Sequence, residues 1–139
     1  MAALRRLITG TGLALALSGA AAAQATIADL MEQQVNPAAL AFWAAGNDPP
    51  EGETPQAAEA RWRAAEAAVG VLKAEGARMQ ARPYLLPGQW ARYSKMMADA
   101  AASGEAGIRA RDPEAVFEAG GRLYDSCSGC HKAYAVPQG

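Results

Sequence analysis

The sequence predicts an all-α chain, folded as an antiparallel up-down-up-down four-helix bundle. Three observations predict it. Alanine is abundant and β-branched residues are scarce, a balance that favours helix over strand. Four segments repeat their apolar residues in steps of three and four, and no segment of useful length alternates with period two. The breaks between them are short and rich in Gly and Pro, and short connections make consecutive helices antiparallel neighbours.

The first helix is expected from about Thr26 to Ala45, with Ile27, Met31, Val35, Ala38 and Phe42 on one face. Pro37 removes a backbone donor and crowds the carbonyl of Gln33, so a kink is expected there, with Asn36 capping the second half. GNDPPEGETP, residues 46–55, reads as a loop. Thr54 then caps a second helix that opens on Pro55 and runs to about Ala81, carrying Trp62, Ala65, Val69, Leu72, Gly76 and Met79. A connection at 81–88 leads to a third helix, from about Gln89 to Ala110, with Trp90, Tyr93, Met97, Ala100 and Gly104 inward. Asp112 and Pro113 restart the chain as cap and first turn of a fourth helix reaching about Val136. Its stripe is Val116, Gly120, Leu123, Cys127, Cys130, His131 and Tyr134.

Residues 1–25 read as a secretory signal peptide. Arg5 and Arg6 precede an apolar run, and Ala23-Gln24-Ala25 fits the small-x-small cleavage rule. The run is interrupted by Thr9, Gly10, Thr11, Gly12, Ser18 and Gly19, so cleavage is favoured over anchoring, with no stable membrane insertion afterwards. Residues 26–139 are then one exported domain, expected in the periplasm. The whole chain carries a formal net charge of −1, and loss of the two arginines leaves the rest more acidic. No basic patch points to nucleic acid. No pair of carboxylates is arranged for acid/base catalysis, so an enzyme is not expected. Self-association as a homodimer stays open.

The chemistry is concentrated in CSGCH, residues 127–131, which holds both cysteines and the only histidine of the chain. A zinc site needs four ligands, and three are present. A thiol–disulfide couple expects C-x-x-C at the start of a helix in a βαβ setting, whereas this motif ends an all-helical chain. That leaves it as a distant alternative. C-x-x-C-H is the spacing of a covalent c-type haem attachment. On a helix Cys127 and His131 share a face and Cys130 flanks it, so two thiols reach one side of a porphyrin while the next residue offers a ring nitrogen to iron.

With "GGRLYDSCSGCHKAY" on the last helix of an exported bundle, the chain resembles the cytochrome c′ family, the class II c-type cytochromes with their methionine-ligated low-spin relatives. The resemblance implies a single covalent haem c, with Cys127 and Cys130 as thioether positions and His131 as axial iron ligand. It implies periplasmic electron transfer with a redox partner protein or, alternatively, a five-coordinate haem protein binding nitric oxide or carbon monoxide. Two features depart from the family: Ala135 stands where a basic residue is common, and the first helix has no Arg or Lys for a haem propionate. Antiparallel packing would bring Met31 level with His131, making Met31 the candidate sixth ligand, with Met79 a rival. The same topology assigns Trp90 and Tyr93 to the haem end, nominates Arg78, Arg82 and Arg92 for the propionates, and sends Trp43 and Trp62 to the opposite end.

Overall fold

A computed structural model describes residues 24–135. The expected signal peptide lies almost wholly outside the described residues, as does Val136. Helix α1 spans Ile27–Leu30, a π-helical turn spans Met31–Val35, and α2 spans Asn36–Gly46. Then come α3, Pro55–Met79, α4, Trp90–Ala110, and α5, Pro113–Tyr134. The first three are continuous, so the described residues form four long helical runs and contain no strand. None of these helices is long and apolar enough to cross a membrane.

Local chemistry sets the helix starts. Thr26 caps α1 in a capping box: its hydroxyl accepts from the Asp29 N–H at 3.1 Å, and the Asp29 carboxylate accepts from the Thr26 N–H at 2.7 Å. The Thr26 N–H and then its hydroxyl, both bonded to that carboxylate, hold the Asp29 carboxyl below its usual range. Thr54 and Asp112 each accept from the backbone N–H three residues on, at 3.2 Å, and each is followed by Pro at the first helical position. Helix α4 ends on Arg111, whose φ of 56° is left-handed. A non-glycine there costs about 1–2 kcal/mol. The Arg111 side chain offsets it by donating to Glu66 at 2.8 Å, Glu59 at 2.9 Å and the Ile108 carbonyl at 3.0 Å.

Pro37 acts differently from the expectation. Asn36 has ordinary helical torsions and caps nothing with its side chain; its N–H donates to the Met31 carbonyl, five residues back. The chain accommodates the proline by a wider turn instead of a new helix start, because widening moves the Gln33 carbonyl away from the proline ring.

The four runs pack in a ring: α2 lies against α3 and α5, and α4 lies against the same two. Phe42, Leu72, Met79, Ile108, Val116 and Leu123 are fully buried. Small residues let the helices come close. A Cβ on Gly46 would stand 2.6 Å from the Phe117 nitrogen, and one on Gly76 would stand 2.8 Å from the Ser94 carbonyl oxygen. The Phe42 ring occupies the space that a side chain on Gly104 would need. At the loop after α2, Arg61 donates to Glu53 at 2.8 and 3.0 Å and to the Ala44 carbonyl at 3.0 Å, tying the loop to α3.

Two glycines of α3 should therefore respond with opposite signs. Gly76→Ala forces α3 off α4 and should destabilise the protein by about 1–3 kcal/mol. Gly70, exposed and with open space around it, should stabilise it by up to about 1 kcal/mol when replaced by Ala. Chemical denaturation of both variants measures this; equal effects would contradict the close-approach account.

Candidate functional site

The first helical run, α3, α4 and α5 all contribute side chains to a cavity of about 600 Å³. That volume lies within the range of small-molecule and cofactor sites, about 300–1,000 Å³. Cys127, Cys130 and His131 of α5 line it, and so does Met31 from the π turn. Residues a hundred positions apart in sequence are thus brought to one space. Met79 lines it from α3, and Trp90 and Tyr93 from α4.

The aromatic walls are pinned. Trp90 donates its indole N–H to the Met79 carbonyl at 2.8 Å and meets Tyr134 edge-on, ring centroids 5.2 Å apart. Tyr134 donates its hydroxyl to the Pro87 carbonyl at 2.7 Å, fastening the α3–α4 connection to the end of α5. Gly88 in that connection has φ of +75°, and a Cβ there would stand 2.8 Å from the Tyr134 oxygen. Tyr93 lies against Gly129, where any Cβ would run into its ring. The glycine of CSGCH therefore serves this packing as well as leaving the motif uncrowded.

Several expected placements change. Trp43 is not at the far end; it lines the cavity and donates its indole N–H to the Gly120 carbonyl at 2.9 Å. The cavity extends along the first helical run from Ile27 to Trp43, more turns than the expectation allowed it. Trp62 is away from it, with Arg61 and Arg111 over its ring at 5.3 and 5.6 Å. Met97, expected on the inward face of this helix, also lines the cavity. Arg78, Arg82 and Arg92 do not: Arg78 pairs with Glu75 at 3.3 Å, and Arg92 donates to Gln89 at 3.1 Å. Among the described residues, Glu32 is the only carboxylate on the lining. Ser94 and Ser126 escaped the sequence reading. Both donate to carbonyls of their own helix, at 2.9 and 2.7 Å, so their hydroxyls are already satisfied.

Both cysteines are free thiols and half-buried. Burial pushes both thiols above their ordinary pKa, and neighbouring Cys127 adds to the rise at Cys130. They also stand toward the C-terminal end of α5, where the helix dipole disfavours a thiolate. Thiol exchange needs the opposite arrangement. Nor do three His, Cys, Asp or Glu side chains converge as a metal cluster anywhere among the described residues. What the site does combine is two thiols, one imidazole and the thioethers of Met31, Met79 and Met97 around an apolar volume. This donor set fits a haem: Cys127 and Cys130 for attachment, His131 and Met31 for iron.

Compared with known proteins, the chain matches no family model, no curated protein and no solved structure. The functional reading accordingly rests on the motif and the cavity.

The thiol environment is testable on protein produced without any cofactor. Both thiols should alkylate with iodoacetamide more slowly than an unfolded peptide at neutral pH. A group whose pKa is raised by folding leaves stability constant below the unfolded pKa and lowers it as pH rises beyond. Stability should thus hold up to the ordinary thiol pKa and fall above it; urea midpoints across that range, set against Cys→Ser variants, check the sign.

Proposed function

We propose that the chain is an exported mono-haem c-type cytochrome of the cytochrome c′ type, carrying electrons in the periplasm. One observation carries this reading: CSGCH, the whole Cys and His content of the chain, opens onto a single apolar cavity that Met31 also lines. The antiparallel up-down-up-down topology is supported by three contacts. Gly46, ending α2, lies against Val116 and Phe117, near the start of α5. Trp90, starting α4, bonds Met79, ending α3. Arg111, closing α4, reaches Glu59 and Glu66 in the first half of α3.

In this reading Cys127 and Cys130 would hold the haem through their sulfurs, and His131 through a ring nitrogen and Met31 through its thioether would hold the iron. Bound there, haem provides one-electron iron chemistry. The protein's own residues do the rest. Trp43, Trp90, Met79 and Met97 keep water out. Their hydrogen bonds hold Trp43, Trp90 and Tyr134 in fixed positions before any cofactor arrives. Ser94 and Ser126 turn their hydroxyls into their own helices and offer the cavity no free donor. Glu32 places a carboxylate on the lining and favours positive charge within it.

Acid acetone should leave the red colour on the polypeptide, and Cys127→Ala with Cys130→Ala should abolish it and lower the melting temperature. Extractable haem would refute covalent attachment, and absence of haem would refute the cytochrome reading. Met31→Ala should turn a low-spin ferrous protein into a high-spin one that binds carbon monoxide. A wild type that is already high-spin and binds the gas would replace electron transfer by gas binding.

A further inference from the structure

We infer that the face formed by α2 and α5 is an interface with a second copy of this chain, in which Leu40 of each copy enters a surface groove over Gly121 of the other. Among the described residues, the large apolar side chains that stay exposed are Leu40, Leu85, Phe117 and Tyr124. All but Leu85 belong to these two helices: Leu40 of α2 is 57% exposed, and Phe117 and Tyr124 of α5 are 63% and 62% exposed. Beside them lies a groove of about 290 Å³, lined by Trp43 and Asn47 on one side and by Phe117, Gly120, Gly121 and Tyr124 on the other. Phe117, Gly121 and Tyr124 follow one another in steps of four and three, so they share a face of α5. Nothing lies within 4 Å of a Cβ placed on Gly121, so the groove is open there.

A bump and a hollow on one face are what a two-fold pair requires, because each residue must meet the counterpart of its own contact. Gly46 lies against Phe117, and Trp43 bonds Gly120, so Leu40 comes about level with Tyr124, beside the groove. A two-fold axis along the groove, midway between Leu40 and Gly121, brings each onto the other in the second copy. It also sets α2 of one copy over α5 of the other. Charge favours a second copy in this orientation. Residues 33–47 carry no Asp, Glu, Lys or Arg. Glu114, Glu118 and Asp125 of α5 are exposed. Two copies of α5 face to face would oppose these carboxylates, whereas α5 over α2 meets no charge. A partner recognised by its charge finds nothing on α2 to bind. Aromatic side chains without charge are also the composition of an interface core. Trp43 lines both the groove and the cavity, so the second copy would cover the outer side of an indole that walls the cavity.

The test is the oligomeric state of the full exported chain, with whatever cofactor it carries. Sedimentation equilibrium over a range of concentrations should return twice the chain mass. Leu40→Glu brings a carboxylate to the groove, and Gly121→Arg fills it; each should raise the dimer dissociation constant by about 100-fold. Both positions are exposed, so helicity by circular dichroism should stay that of the wild type. Mixed in equal amounts, the two variants should pair again. In the mixed dimer one contact is the native one between Leu40 and Gly121, and the other sets the introduced carboxylate against the introduced guanidinium. A wild type that stays monomeric would overturn the inference, and so would single variants that stay dimeric. Variants that dissociate with native helicity yet fail to pair when mixed would overturn it as well. Should either variant lose helicity, Tyr124→Lys at the edge of the groove takes its place, and a dimer that survives this change refutes the interface. No arm depends on haem or on Met31, so failure of the cytochrome reading leaves this test intact.

Discussion

The close approach of helices over small residues is the constraint on which the rest of the molecule depends. Gly46 meets the backbone of α5, Gly76 meets that of α4, Gly104 sits under Phe42, and Gly120 sits under Trp43. Bulky core residues alone would hold the four helical runs further apart. With the glycines in place, a chain this rich in alanine fills its interior from few large side chains. The remaining large ones, Trp43, Trp90, Tyr93, Met79 and Met97, are free to wall a cavity.

That cavity is built more rigidly than an apolar hollow requires. Trp43, Trp90 and Tyr134 each spend their polar atom on a backbone carbonyl of another segment. The Trp43 and Trp90 bonds satisfy donors that burial would otherwise leave costly, and all three fix a ring plane. Tyr93 is held by shape, against Gly129 of the CSGCH segment itself. The walls and the proposed ligands are therefore not independent. A side chain at Gly129 would disturb Tyr93 as well as the motif.

Electrostatics around the cavity are one-sided. Its lining includes Glu32 and no Lys or Arg, while Arg61, Arg111 and their carboxylate partners gather around Trp62. Arg61 ties the loop after α2 to α3, and Arg111 ties the end of α4 to α3. The first helical run carries no Arg or Lys, and position 135 is alanine.

What the sequence by itself determined is what local chemistry determines. The all-helical class follows from composition and period. Thr54-Pro55 and Asp112-Pro113 start helices because cap hydrogen bonds and proline torsions act within four residues. CSGCH carries its sulfur and imidazole in one helical turn, and that was readable with no fold at all. Only the tertiary structure decided what depends on rotation about a helix axis and on height along it. Trp43 was misplaced because the cavity runs further along the first helix than matching helix ends suggested. The role of Pro37 was read as a kink with a new cap, because sequence shows the missing donor but not how the backbone absorbs it. The chain absorbs the proline in a wide turn over Met31–Val35, and nothing in the apolar periodicity records that step.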